Sequence, residues 1–497
     1  MKCCSSTVAA SVCKYRIALL QTAGPRPFSR LPAPCSFPVR AMLLRRFRRN
    51  SVIASFVFTC SLALVCILFS LKEEHSSLEP ETVEAAKAKR EIELETNSIP
   101  KVHTAVHTAI HTAVHTAVHT AAPREKNNVT WPKPRAHLKL VGISEAFRKA
   151  VPQNNAYWNR KQYALFRRLD SAARSGGSWP EAEEADRTPC SLLSSELLHI
   201  NIPDFDSYPA MYQDFARGMH CRDPPILIDQ PYKCPEAGGE GQPFLLFAIK
   251  SLPRNFEQRQ AVRNTWGREV TFDGGLKVRT VFLLGTSSPT DPDLGQLVRF
   301  EAGHFGDVLQ WNFVDTFFNL TLKENAFLGW AQRRCPHASF IFKGDDDVFV
   351  NPQAMVKYLL SLKPEEASKL YAGQIVSNAT PFRDSKSKYY IPNSFYDGSY
   401  PSYAGGGGFL FSGSLVRPLY NLSQHIVFFP IDDVYTGMCF QALGITPMAH
   451  PGFRTFDIQE QDRNNVCAHK DILLVHKRTP QQVLRLWRYM FSPLLTC

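Results

Sequence analysis

Residues 339–347 read SFIFKGDDD, a short apolar run that stops abruptly at three consecutive carboxylates. A run apolar on both faces suits a strand buried in the middle of a sheet. Two similar runs precede it, Pro243–Lys250 (PFLLFAIK) and Val278–Gly285 (VRTVFLLG). Helical periodicity lies between and after them, over Phe256–Trp266 and over Leu322–Trp330, where Leu322, Ala326, Phe327 and Trp330 recur at helical spacing. Strands alternating with helices predict a doubly wound α/β sheet covered on both sides. Ligands of such sheets bind beyond the carboxyl ends of the strands, which is where Asp345, Asp346 and Asp347 fall.

Three adjacent carboxylates repel one another unless a cation or hydrogen-bond donors compensate. Oxygen ligands of this kind suit Mg²⁺ or Mn²⁺, which can bridge a carboxylate to a diphosphate. In an extended segment Asp345 and Asp347 would share a face and form a D-x-D pair, while Asp346 would point away. A solvated acidic turn is the alternative. Arg259 and Arg263 are one helical turn apart, so both project from one side; they suit a nucleotide diphosphate or an exposed charged helix face. The run Tyr403-Ala-Gly-Gly-Gly-Gly-Phe409 implies either unusual dihedrals or close backbone approach in a packed turn, with a flexible loop as the alternative. In Pro430-Ile-Asp-Asp-Val434 a carboxylate could take a proton from a sugar hydroxyl, or serve as a helix N-terminal acid. His476, after the apolar run 472–475, is either a third metal ligand or a structural histidine.

The chain has 497 residues and a net charge of +12, which suggests nucleic-acid binding until the charge is located. Residues 1–50 hold ten Lys or Arg and no Asp or Glu, so the remainder carries about +2. A basic leader before an apolar run reads as membrane topology, and no nucleic-acid partner is expected. Ser51–Leu71 is uncharged, and 21 helical residues reach about 30 Å, one bilayer crossing. Arg45, Arg46, Arg48 and Arg49 precede it, which keeps the N-terminus cytosolic and the rest lumenal. Cleaved signal sequences have shorter apolar cores. Met42 opens a shorter basic tail and is a second candidate start.

Residues 72–150 read as a lumenal stem. Within it Val102–Ala121 repeats V-H-T-A and places His103, His107, His111, His115 and His119 at intervals of four. A metal-binding stripe is one reading of the repeat and a low-complexity spacer is the one adopted. The catalytic domain is expected over 151–497. Seven cysteines follow the apolar run (Cys190, Cys221, Cys234, Cys335, Cys439, Cys467, Cys497) in no C-x-x-C pattern, so disulfides are expected, with one cysteine left over. Sequons at Asn128, Asn319, Asn378 and Asn421 fit a secretory-pathway chain.

Seven blocks, RQAVRNTWG (259–267), VFLLG (281–285), DTFFNLTLKE (315–324), FKGDDDVFVN (342–351), YAGGGGFLFSG (403–413), PIDDVYTGMC (430–439) and GFRTFDI (452–458), occur in an order that resembles the β-1,3-glycosyltransferases, and within them the β-1,3-N-acetylglucosaminyltransferases. The resemblance covers roughly residues 155–497. It implies a GT-A fold, a Golgi membrane location, UDP-GlcNAc as donor, Mn²⁺ or Mg²⁺ as cofactor, and inverting transfer to the 3-hydroxyl of a terminal β-galactose on glycoprotein or glycolipid acceptors, with poly-N-acetyllactosamine as the product. By the same resemblance Asp345, Asp347 and His476 fall at the metal, with Asp347 the direct ligand. Asp433 falls at the catalytic base, and Ser251, Arg259, Arg263 and Asp346 near the nucleotide. Homo-oligomers, or hetero-oligomers with other glycosyltransferases, are further expected partners. The leader before Met42 and the His-Thr-Ala repeat have no counterpart in the family pattern. Two alternatives remain, a β-1,3-galactosyltransferase using UDP-galactose and a catalytically silent lumenal partner or chaperone. Intact acidic motifs speak against the second.

Overall fold

The computed structural model describes residues 142–174, 190, 193–234 and 244–497. The basic leader, the apolar run 51–71, the His-rich repeat and Asn128 lie outside the described residues. No helix among the described residues is long and apolar enough to cross a membrane.

The strands are β1 (Ile226–Ile228), β2 (Phe244–Lys250), β3 (Lys277–Thr286), β4 (Val308–Val314), β5 (Phe340–Asp345), β6 (Phe349–Val350), β7 (Tyr371–Gly373), β8 (Ile375–Val376), β9 (Tyr403–Ala404), β10 (Gly408–Ser412), β11 (Met448–Ala449), β12 (Phe453–Arg454) and β13 (Leu474–Val475). Eight of them form one mixed sheet in the order β1-β4-β3-β2-β5-β10-β7-β11. Its centre, β4-β3-β2-β5, is parallel, whereas β10 runs antiparallel to β5 and β7, and β1 antiparallel to β4. Helices Phe256–Asn264, Gly295–Phe305 and Leu320–Arg334 supply the crossovers between the parallel strands.

Both faces of this sheet are buried, and the strands show it residue by residue. Phe244, Leu246 and Ala248 enter one apolar core, while Leu245, Phe247 and Ile249 enter the other. The same alternation runs through β3, with Val281 and Leu283 on one side and Phe282 and Leu284 on the opposite side. Each such Leu, Ile or Phe contributes about 1.5–3 kcal/mol by leaving water, so the central strands are the stable frame. The doubly covered α/β sheet expected from the sequence is therefore present, and a mixed sheet with a mostly parallel centre fits a GT-A-like fold. The antiparallel half was not anticipated.

Two boundaries shift. Helix Glu145–Ala150 falls inside the stem read over 72–150, yet Phe147 is buried and Ser144 anchors the segment by donating from its backbone N to Ala442 O (2.8 Å) and from its hydroxyl to Gln441 O (2.6 Å). The folded region thus begins by Ile143. The helix read over Leu322–Trp330 runs from Leu320 to Arg334.

Disulfides join Cys190 to Cys221, Cys234 to Cys335 and Cys467 to Cys497; Cys439 is free and buried. This is the expected framework with one cysteine left over. Of the sequons, Asn378 and Asn421 are exposed, while Asn319 is half-buried and donates its side-chain amide to Val314 O (2.8 Å).

Candidate active site

The chain runs β2, β3, β4 outward in one direction and then returns to place β5 on the other side of β2. The sheet's switch point therefore lies between β2 and β5, and the crevice for a ligand opens at their carboxyl ends. Lys250 ends β2 and pairs in register with Asp345, which ends β5. The acidic run begins inside the strand: Asp345 is its last residue, and Asp346 and Asp347 form a turn. Trp266 Nε1 holds that turn by donating to Val348 O (3.0 Å).

The turn separates the three carboxylates. Asp345 and Asp347 face His476, whose Nε2 lies 3.7 Å from Asp345 Oδ2 and 3.2 Å from Asp347 Oδ1. One ligand atom from each of the three residues lies within 4.8 Å of the others. His476 Nδ1 lies 2.9 Å from Thr455 O and donates to it, which leaves Nε2 to meet the carboxylates. Burial works against a charged imidazole here, but the hydrogen bond to Asp347 and the nearby carboxylates outweigh it and raise the pKa. Two carboxylate oxygens and an imidazole nitrogen, converging at a strand end, suit a divalent ion.

Asp346 turns inward. It is buried and accepts at Oδ2 from Ser251 Oγ (2.6 Å) and from Asn255 Nδ2 (3.0 Å). Burial pushes its pKa up to about 6 against those two hydrogen bonds. Asp345 and Asp347 thus share a side while Asp346 points away, and a turn, not an extended strand, produces this.

Arg259 and Arg263 do not present open guanidinium groups to a diphosphate. Arg259 is fully buried and grips Glu301 at both oxygens (2.8 and 2.7 Å). Its remaining donors go to Ser251 Oγ (3.0 Å), Leu252 O (2.6 Å) and Pro253 O (3.1 Å). Arg263 binds Asp307 at both oxygens (2.8 and 2.8 Å) and Glu301 (2.7 Å). This corrects the expectation that both arginines hold the nucleotide directly. Low-dielectric surroundings demand a partner for every charge, and protein carboxylates are the partners here. Arg259 instead sets the 251–253 loop, and through Ser251 it fixes Asp346. Arg263→Met, which strands Asp307 in the interior, is expected to destabilise the fold by about 3 kcal/mol, read by denaturant unfolding.

Asp433 lies in the first turn of helix Asp432–Ala442. Its Oδ2 accepts from Gly406 N (3.1 Å) and its Oδ1 from Val434 N (2.9 Å). Burial, then the neighbouring Asp432 charge, raise its pKa to about 7, against the opposing pull of Lys250. Such a carboxylate can accept a proton near neutrality. The tetraglycine run connects it to the metal-type cluster. A Cβ on Gly406 would sit 3.4 Å from Asp433 Oδ2, and one on Gly407 would sit 2.9 Å from His476 Nδ1. None of Gly405 to Gly408 has a positive φ. Close approach of neighbouring side chains, and not unusual dihedrals, is therefore why glycine is needed there.

Lys250 and Asn255 escaped the sequence reading, as did the carboxylates that occupy the arginines. For Lys250 the signal was a single cation ending the otherwise apolar run PFLLFAIK. Asn255 lies between Ser251 and Arg259 but meets Asp346, 91 residues away, and Glu301 and Asp307 lie 42 and 44 residues from the arginines they hold, so no local pattern marks them.

Paired carboxylates at the switch point of a mostly parallel sheet, with a separate carboxylate of raised pKa nearby, can hold a cation and take up a proton. Residues 257–451 match the Galactosyltransferase family. N-acetyllactosaminide β-1,3-N-acetylglucosaminyltransferase 2 of Mus musculus is 46% identical over 359 residues, which cover 71% of this chain and 89% of that protein. The Homo sapiens protein of the same name is 45% identical over 372 residues, covering 72% and 90%. Acetylgalactosaminyl-O-glycosyl-glycoprotein β-1,3-N-acetylglucosaminyltransferase of Homo sapiens is 44% identical over 331 residues, covering 64% and 85%. The chain belongs to the β-1,3-N-acetylglucosaminyltransferases of the Galactosyltransferase family and is an enzyme of β-1,3-glycosyl transfer.

Proposed function

We propose that this enzyme transfers N-acetylglucosamine from UDP-GlcNAc to the 3-hydroxyl of a terminal β-galactose, extending poly-N-acetyllactosamine on glycoprotein or glycolipid acceptors. The observation that carries the mechanism is the placement of Asp433 across the Gly406-Gly407 backbone from Asp345, Asp347 and His476. Asp345, Asp347 and His476 would hold a divalent ion, Mn²⁺ or Mg²⁺. When bound, that ion would neutralise charge on the leaving diphosphate. Asp433 accepts the proton of the acceptor hydroxyl. The hydroxyl oxygen bonds to the anomeric carbon as the bond to the UDP oxygen breaks, and the anomeric configuration inverts in one displacement. The backbone N–H of Gly406 and of Val434 fix the Asp433 carboxylate during that transfer.

We place the enzyme in the Golgi membrane as a type II protein, anchored by residues 51–71 with residues 72 onward in the lumen and the stem ending near Ile143. This rests on the basic flank before Ser51, the sequons and the disulfides.

The test is an assay of the purified enzyme with UDP-GlcNAc and with UDP-galactose on galactose-terminated acceptors. Transfer of N-acetylglucosamine in a β-1,3 linkage is expected. Preferential use of UDP-galactose would replace this donor assignment, and no transfer from either donor would favour the silent-partner reading.

A further inference from the structure

Lys250 is buried to 7% exposure and makes three contacts within the site. Its Nζ donates to Asp432 Oδ2 (2.8 Å) and to Gly406 O (3.1 Å), and it lies 3.0 Å from Asp345 Oδ1. The three partners come from separate parts of the fold: the metal-type cluster at the end of β5, the helix that bears Asp433, and the glycine run between them. Two of its ammonium donors are placed by hydrogen bonds, to Asp432 and Gly406, and the third partner, Asp345, is met as an ion pair. The contact to Asp345 is also selective. Lys250 takes Oδ1, while Oδ2 is the oxygen that faces His476. The contact to Asp432 ties that side chain to the end of β2. Its neighbour Asp433 meanwhile accepts from Gly406 N, whose carbonyl Lys250 holds.

We infer that Lys250 is a positioning residue that sets the distance and orientation between the metal-type cluster and the Asp433 carboxylate. It touches no reacting atom in this scheme. It acts through Asp345 on one side and through Asp432 and Gly406 on the other. The inference rests on the proposed function for what the two halves do, but the coupling itself is a property of the geometry. Outer partners that orient ligands in this way typically change metal affinity or activity by 10–100-fold when removed.

Lys250→Met alone would leave Asp432 buried without its cation and could unfold the chain. The informative variant is the double replacement Lys250→Met/Asp432→Asn. It removes one positive and one negative charge together, so the local net charge, and with it the general attraction for a cation, is unchanged. Three measurements on the full chain separate orientation from folding. Thermal melting reports the fold. Calorimetric titration with UDP, in Mn²⁺ and in chelator, reports the cluster without any turnover. Steady-state transfer gives kcat and KM. The expected result is a folded double variant that binds UDP in chelator as the parent does. Its Mn²⁺-dependent gain in UDP affinity should fall by about tenfold, and its kcat by about 10–100-fold. Lys250→Arg, which keeps the charge and can reach the same acceptors, should restore part of both. A folded double variant with the parent's Mn²⁺-dependent gain overturns the inference, as does equal weakening of UDP binding with and without Mn²⁺. Should the parent bind Mn²⁺ and UDP together yet transfer no sugar, the functional reading fails while the binding arm still decides the role of Lys250.

Discussion

Replacing Asp433 by Asn is expected to reduce transfer by ~10²–10⁴-fold while leaving folding and donor binding intact. Asn nearly reproduces the shape of Asp but cannot take a proton, and a sugar hydroxyl is too weak an acid to attack unaided at neutral pH. The structure makes the control specific. Asp432 points to Lys250 (2.8 Å), whereas Asp433 is held by the Gly406 and Val434 backbone. Asp432→Asn should therefore keep the proton acceptor and, by removing the neighbouring charge that raises the Asp433 pKa, move the acid limb of the pH profile to lower pH. The pH dependence follows from the raised pKa of Asp433. Burial, then the charge of Asp432, favour its protonated form and lift its pKa to about 7. The base form is thus depleted as pH falls through 7. Parent kcat/KM should drop progressively on the acid side, approaching tenfold per pH unit below about 6. Asp433→Asn should abolish that limb. Near-normal turnover in Asp433→Asn with an unchanged acid limb would place the base on another residue.

The second large effect concerns Asp347. Asp347→Ala should remove the metal-dependent part of UDP binding and lower transfer by at least ~10²-fold, since a direct ligand matters no less than the outer partners that orient it. Chelator should produce the same loss in the parent, and Mn²⁺ or Mg²⁺ should reverse it. The fold should tolerate the change, because Asp347 is 44% exposed and, among the described residues, its side chain pairs with His476. Asp346→Ala is a useful contrast. That carboxylate is buried and satisfies Ser251 and Asn255, so its loss should appear first in stability. Full activity of Asp347→Ala, or of the parent in chelator, would remove the metal from the scheme.

Much of this enzyme was legible in its sequence because the signals are local. An apolar run ending in carboxylates marks a central strand and its ligand end together, and burial on both faces leaves that pattern little freedom. PFLLFAIK, VRTVFLLG and SFIF became β2, β3 and β5 for that reason. Asp345, Asp347, His476 and Asp433 stand out in the sequence as candidates, and the fold gathers them around the Gly406-Gly407 segment. Three things required tertiary contacts. The antiparallel part of the sheet is built from β1, β7 and β10, of three, three and five residues, too brief to show a period. The arginines of RQAVR could not be told from ligand-binding residues, because their partners Glu301 and Asp307 lie about 40 residues away. Lys250 could not be given a role, because its contacts lie 95 residues away at Asp345, 156 at Gly406 and 182 at Asp432. Spacing along the chain reveals which face a side chain occupies. Only the closed fold decides which distant charge it meets there, since burying an ion without a partner costs more than any local preference can offset.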